Sequence, residues 1–179
     1  MKAQAAAFQL EVEGTSAVCP VGERYAQEQL SAGTIPVLSC EGPCIRGEIA
    51  RQVAHRVARE APFARACQGE VLAVPRSGMA RWVRESEQVV VVDGCFLRCQ
   101  GRMLRRMLQP EQLVEIDALS LYHKYTDIFA IDDVSEAERI EVAEEVARQV
   151  LARLAGSGAT EGSQSWSQTA TAAAAEKRT

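Results

Sequence analysis

The stretch VVVVDGCFLRC, residues 89–99, places four valines in a row before an acid, a glycine and two cysteines that lie four positions apart. Valine favours strands, and an apolar run without polar alternation is typical of a strand that helices cover on both faces. Strands of that kind belong to the parallel sheets of α/β proteins. The stretch therefore predicts a buried parallel strand that leads into a loop carrying two thiols.

Three further apolar runs have the length of a strand, at residues 34–38, 71–74 and 113–116. Helical patterns separate the runs, and after the first one apolar residues recur every four positions: Ile45, Ile49, Val53 and Val57. Strands that alternate with helices predict an α/β fold. We expect a doubly wound parallel sheet of about four strands, flavodoxin-like or Rossmann-like, in a three-layer sandwich.

The last predicted helix has both a start signal and an apolar face. Ser135 and Glu138 have the spacing of a capping box. The residues expected to face the core are Ile140, Ala143, Ala147, Val150, Leu151 and Leu154. This pattern predicts a long amphipathic helix that covers one face of the sheet.

Composition divides the chain into three regions. Residues 1–33 show no sustained periodicity and are interpreted as an N-terminal extension with one short helix near residues 23–30. Residues 34–155 form the predicted α/β domain. Residues 156–179 are rich in Ser, Thr, Ala and Gly, and this composition predicts a disordered low-complexity tail because it cannot bury enough apolar surface to offset ordering.

Charge and hydropathy exclude several classes of protein. The 179-residue chain has a net charge of −4, and its basic residues are dispersed, which argues against a nucleic-acid partner. No apolar run approaches the roughly 18 residues that a membrane span needs, and the N-terminal apolar stretch is too short for a signal peptide. We therefore expect a cytoplasmic protein without a membrane partner. Six cysteines in a reducing compartment indicate metal ligands or redox thiols.

Four of the cysteines form two pairs that each follow a predicted strand. Cys40 and Cys44 follow the first strand, and Cys95 and Cys99 follow the third. In a 2-1-3-4 strand order these strands are neighbours, so both loops meet at one switch point. Each pair precedes a helix, whose amides and dipole favour thiolates. Two thiolate pairs at one point are the ligand set of a tetrahedral zinc site or a small iron–sulfur cluster.

The same two segments carry a family resemblance. LSCEGPCIRGEIA, residues 38–50, followed by VVVVDGCFLRC, closely resembles the DGC-domain family of zinc-binding proteins, which is named for the motif seen here as Asp93, Gly94 and Cys95. The likeness covers about residues 36–154. It implies that the chelating residues are Cys40, Cys44, Cys95 and Cys99. It implies no catalytic activity.

Other residues are accessory candidates. Asp93 could orient a ligand or act as a base, but an acid before a helix more often serves as its N-cap. Cys67 could be a fifth ligand, a resolving thiol or a buried spectator, and Cys19 is interpreted as a spectator. His123 follows the fourth predicted strand and so lies at the edge where the thiols are expected, whereas His55 is predicted on the solvated face of a helix.

These patterns favour a cytosolic zinc-binding protein with a four-cysteine site in a structural, carrier or sensing role. One alternative is a thiol–disulfide oxidoreductase, although CEGPC is one residue longer than the redox motif CGPC. Another alternative is an iron–sulfur electron carrier, for which the same ligands suffice. The sequence points to a metal ion as the bound partner; it identifies no catalytic residues and no protein partner.

Overall fold

A computed structural model describes residues 10–157 of the chain. Within that range four strands form one sheet: β1 (Ile35–Ser39), β2 (Phe63–Arg65), β3 (Val89–Asp93) and β4 (Leu113–Asp117). The strand order is β2-β1-β3-β4, and every pairing is parallel. Val90 of β3 pairs with Val37 of β1 on one side and with Val114 of β4 on the other. The predicted doubly wound parallel sheet of four strands is confirmed.

Helices cover both faces of this sheet. The α-helices of the described range are α1 (Pro20–Ala32), α2 (Ile45–Val57), α3 (Gln68–Ala73), α4 (Gly78–Glu85), α5 (Cys99–Leu104), α6 (Leu119–Tyr122) and α7 (Glu136–Ser157). Apolar residues of α2 and α7 pack in one core cluster, and those of α1, α3, α4 and α5 pack in another. The sheet separates the two clusters, which gives the predicted three-layer sandwich.

The valine run lies at the centre of the sandwich. Val90 and Val92 belong to the cluster with α2 and α7, and Val89 and Val91 belong to the opposite cluster. All four side chains are fully buried. Because burial of one valine side chain is worth about 1.5 kcal/mol or more, a strand covered on both faces selects apolar residues at every position.

The strand predicted at residues 71–74 is wrong. Residues 71–73 belong to helix α3, and the second strand is the three-residue β2. A short apolar run fits either a strand or one helical turn, and periodicity cannot separate the two. Edge strand β2 needs only a few residues, of which Ala64 alone is buried. As a consequence Cys67 follows the second strand, whereas the sequence placed it before that strand.

The apolar face of α7 is shifted from the predicted one. Ile140 was expected to face the core, but it is 36% exposed. Val142 and Val146 are buried in its place, together with the predicted Ala143, Ala147, Val150 and Leu154. Ile140 falls at the margin of the stripe that these residues define, so it stays at the surface.

The two ends of the chain differ in what the structure describes. Helix α1 lies within residues 1–33 and packs on α4, where the Tyr25 and Trp82 rings meet edge to face at 6.0 Å. Helix α7 continues to Ser157, and residues 158–179 of the predicted tail lie outside the described range. The domain boundaries themselves stay a prediction. Between residues 10 and 157 no helix is both long and apolar enough to cross a membrane.

Candidate functional site

Cys40 lies at the seam between β1 and β3. Its backbone amide donates to the carbonyl of Val92 at 2.9 Å, which extends the strand pairing by one residue. Gly94, just after β3, packs against the first turn of α2, since a Cβ on Gly94 would lie 2.7 Å from the carbonyl oxygen of Arg46. The first cysteine loop and the DGC loop therefore meet at the switch point, as the strand order requires.

The backbone amides of Gly42 and Gly94 lie near the sulfur of Cys40 and favour its thiolate. Burial raises the pKa of this thiol, the two amides lower it, and the nearby Asp93 and Cys99 raise it again, with a net increase. Cys40 and Cys99 are therefore close enough for their charges to interact. A metal-free Cys40 keeps its proton at neutral pH, whereas a metal-bound thiolate would gain from both amides.

Cys44 is the N-cap residue of α2. Its sulfur accepts a hydrogen bond from the amide of Gly47 at 3.4 Å. Gly47 must be glycine, because a Cβ at this position would lie closer than 3.0 Å to the carbonyl oxygen of Gly42, a separation that real Cβ atoms essentially never show. The turn between Cys40 and Cys44 thus folds directly onto the start of α2.

The second cysteine pair lies on a loop and a helix start. The segment CFLRC is not itself a helical turn, because α5 begins only at Cys99. Arg98 precedes it in the left-handed region, with φ 46°, and its amide donates to the carbonyl of Cys95 at 3.0 Å. Cys95 is half-buried and Cys99 is exposed.

Asp93 explains why α5 starts late. One carboxylate oxygen accepts a hydrogen bond from the backbone amide of Gln100 at 3.0 Å, and the other accepts one from the backbone amide of Gly101 at 2.9 Å. Asp93 is 1% exposed. Burial raises its pKa, and the two amides act in the opposite direction. The carboxylate caps α5 from six residues before the helix, so capping, the role favoured by the sequence, is the one that the contacts describe.

The remaining candidates are two cysteines and two histidines outside the two cysteine pairs. Cys67 is the N-cap residue of α3, just after β2, and is exposed rather than a buried spectator. Cys19 is the N-cap of α1, and its sulfur accepts the amide of Gly22 at 3.3 Å. His123 is exposed in a left-handed conformation after α6, and His55 is exposed on α2, as predicted.

Residues 120–133 form a strap across the start of α2. The backbone carbonyl of Phe129 accepts a hydrogen bond from the backbone amide of Ile45 at 2.9 Å and so caps the N-terminus of α2. The Tyr125 hydroxyl donates to the Glu138 carboxylate at 2.6 Å, and its pKa is raised to about 12, mainly by burial. Only half of the predicted capping box forms, since Ser135 Oγ accepts the Glu138 amide while the Glu138 side chain binds Tyr125.

Sequence reasoning missed one network that holds the first cysteine loop. The Arg65 guanidinium donates to Ser39 Oγ at 3.0 Å and to Glu41 Oε1 at 2.8 Å, and Ser39 Oγ donates to the same Glu41 oxygen at 2.6 Å. The residues on both sides of Cys40 are thereby tied to the end of β2. No local pattern signals this network, because Arg65 is 24 residues away from Glu41 along the chain.

The donor chemistry of the edge fits zinc. Four thiols lie on two adjoining loops and at the helix starts that follow them; the Gly47 amide donates to Cys44 Sγ, and the amides of Gly42 and Gly94 lie near the sulfur of Cys40. Across residues 10–157, no three histidine, cysteine, aspartate or glutamate side chains are arranged to hold a metal ion. Coordination by all four thiols therefore requires side chains of the two loops to turn toward one point.

Thiol alkylation tests the electrostatic description of this edge. In metal-free folded protein at pH 7, we expect Cys40 to react about tenfold or more slowly than the exposed Cys19, Cys67 and Cys99, because the thiolate is the reactive form. Timed alkylation followed by peptide mass spectrometry measures each rate, and protein in urea serves as the matched control with similar rates throughout. Early modification of Cys40 would contradict the raised pKa.

Comparison with known proteins identifies one matching family model, described as DGC domain, over residues 36–150. The match begins in β1, ends within α7 and includes both cysteine pairs. No curated protein and no solved structure matched the chain. The predicted family resemblance is confirmed.

Proposed function

The chain belongs to the DGC-domain family, and from that premise we propose that it binds one zinc ion through the thiolates of Cys40, Cys44, Cys95 and Cys99. The observation that carries the proposal is the set of backbone amides beside the sulfurs of the first cysteine pair. The Gly47 amide donates to Cys44 Sγ at 3.4 Å, and the amides of Gly42 and Gly94 lower the pKa of Cys40, although burial leaves that pKa raised overall. Hydrogen bonds of this kind stabilise a charged acceptor more than a neutral one, so they suit thiolate ligands.

The charge of the proposed site also suits its position. Zinc with four thiolates carries two net negative charges. The N-terminus of the 13-residue helix α2 begins beside Cys44, and its dipole favours negative charge there. The strand–cysteine–helix order thus offsets part of the charge that the ligands introduce.

A carrier or sensing role fits the exposure of the thiols better than a closed structural site. Cys99 is exposed and Cys95 is half-buried, so a competing ligand can approach the second pair. The strap of residues 120–133 lies on the side of Cys44 and α2. We expect zinc to exchange with a competing chelator within minutes, whereas a closed site would hold it far longer.

Metal analysis tests the proposal directly. Anaerobically purified protein should contain about one zinc per chain, and Cys40→Ser, Cys44→Ser, Cys95→Ser and Cys99→Ser should each lower that content. Cys19→Ser is the matched control, since Cys19 caps α1 and should leave the zinc content unchanged. Metal-free protein, or equal loss in the control, would contradict the proposal.

Removal of zinc should lower the melting temperature without unfolding the chain. A ligand that binds only the folded state stabilises it by mass action. The two core clusters are formed without any metal ligand except the partly buried Cys40, so the sheet should persist. Circular dichroism before and after chelation measures both effects. Complete loss of structure on chelation would show that the metal, and not the apolar core, holds the fold.

The alternatives give different results in the same samples. An iron–sulfur cluster on the same ligands would absorb visible light, and zinc would not. A thiol–disulfide oxidoreductase would show reactive thiols and no metal release on titration. The raised pKa of Cys40 disfavours this thiol as the attacking thiolate, so a redox mechanism would have to begin at another cysteine.

A further inference from the structure

The loop between the second pair of cysteines exposes apolar side chains beside the thiols. Phe96 is 69% exposed and Leu97 is 52% exposed. They form the tip of the turn that the Arg98 amide closes on the Cys95 carbonyl. Met103 on α5 is 39% exposed. Together these side chains present on the order of a few hundred Å² of apolar surface, the size of patch that often serves in binding.

Positive charge accompanies this apolar surface. Helix α5 turns Gln100, Gly101 and Leu104 inward, and Arg102 and Met103 are exposed. Arg106, in the turn that follows α5, is exposed as well. Among the described residues neither Arg102 nor Arg106 has an ion-pair partner, whereas Arg98 and Arg105 both pair with Glu115. We define the α5 surface by its members: Phe96, Leu97, Arg102, Met103 and Arg106.

Cys99 belongs to the same stripe of helix α5. It precedes Arg102 and Met103 by three and four residues, the spacing that places side chains on one face of a helix. Like them it is exposed. A molecule seated on the α5 surface would therefore lie beside one of the four proposed zinc ligands.

We propose that the α5 surface docks a partner protein that presents an apolar side chain flanked by carboxylates and that exchanges zinc with this chain. The inference rests on the proposed function and names the partner of that site. The uncompensated arginines select an acidic partner, and the small apolar area suits a transient contact. In the exchange, donors of the partner replace the cysteine thiolates one at a time. Zinc keeps its charge and no electron moves; each incoming donor gives up its proton, if it has one, to the thiolate that it displaces, and otherwise that thiolate takes a proton from water.

A protein partner fits these observations better than a membrane or a second copy. Zinc can leave the site by ligand exchange only if the docked molecule supplies its own metal donors, which a lipid surface does not do efficiently. A second copy of the chain presents the same α5 surface. A symmetric contact between two such surfaces would place the arginines of one copy against those of the other.

Photo-crosslinking in the producing cells tests the proposal with the full chain. The probe p-benzoylphenylalanine replaces Phe96, and the same probe at Ile140, exposed on α7, is the position control. We expect a covalent adduct between position 96 and another protein, with acidic and apolar residues in the linked peptide. Arg102→Glu with Arg106→Glu should reduce the adduct about tenfold or more, and Arg102→Lys with Arg106→Lys should retain it.

The docking proposal would be overturned if position 96 gave no adduct, or gave an adduct with a lipid or with a second copy of the chain, recognised by twice the mass. It would also be overturned if the probe at position 140 gave the same adduct, or if the adduct survived charge reversal of the two arginines. Zinc content measured in the same purified samples separates this proposal from the proposed function. Zinc without a charge-dependent adduct overturns docking alone. An adduct with metal-free protein overturns zinc exchange and the proposed function together, while leaving the docking surface in place.

Discussion

Gly47→Ala should lower the free energy of unfolding by about 3 kcal/mol or more, at the upper end of what overpacking costs. The new methyl group would collide with the carbonyl oxygen of Gly42, which is a backbone atom and cannot turn away as the end of a flexible side chain could. The Gly47 amide also donates to Cys44 Sγ, so a shift of this turn should weaken zinc binding as well. Urea unfolding followed by circular dichroism measures the change in stability.

Gly69→Ala is the matched control for this prediction. Gly69 lies in helix α3, and no atom lies within 4 Å of a Cβ built there. The substitution should be neutral or should stabilise the protein by up to about 1 kcal/mol through helix propensity. Equal losses at positions 47 and 69 would show that the close approach of the loop to α2 is not what requires glycine.

Asp93→Ala should cost about 2–4 kcal/mol of stability, because it leaves the amides of Gln100 and Gly101 without an acceptor in a buried place. Asp93→Asn keeps one acceptor oxygen and should cost less. Asp132→Ala, at an exposed position, is the control and should be close to neutral. A small effect of Asp93→Ala would mean that α5 does not depend on this distant cap.

Asp93 also predicts a pH dependence of stability with a definite sign. Burial raises its pKa in the folded state above the ordinary value, so between the two values the folded state binds more protons than the unfolded state. The contribution of Asp93 to the free energy of unfolding is therefore greatest below its pKa in the unfolded state. It falls as the pH rises toward the pKa of Asp93 in the folded state. The difference in unfolding free energy between wild type and Asp93→Asn, followed across that range, should show this decline. A rise would contradict it.

The sequence predicts the centre of the fold better than its margins. Val89–Asp93 is buried on both faces, and that condition appears directly in the residues as an unbroken apolar run. Edge strand β2 has three residues and one buried side chain, so it leaves almost no pattern. Helix α3 was mistaken for a strand because one turn of apolar residues fits both structures.

The candidate site divides in the same way. The thiol loops were predictable because each cysteine pair directly follows a strand, and the parallel order brings those strand ends together. Gly47 and Gly94 stand in the motifs, but the motifs do not show why these positions need glycine. Gly94 packs against the backbone of Arg46, which is distant in sequence, and Gly47 packs against the backbone of Gly42, where the chain folds back on itself. The Arg65 network and the cap that the Phe129 carbonyl places on α2 are tertiary contacts without local signals.

X-ray absorption spectroscopy at the zinc edge is the most direct measurement of the proposed centre. Ligation by Cys40, Cys44, Cys95 and Cys99 predicts a first shell of four sulfurs at about 2.3 Å from the metal. The Cys99→Ser protein should show one sulfur fewer and an oxygen or nitrogen at about 2.0–2.2 Å. A wild-type shell dominated by nitrogen and oxygen, or a sulfur shell unchanged in Cys99→Ser, would contradict a single zinc ion held by these four thiolates.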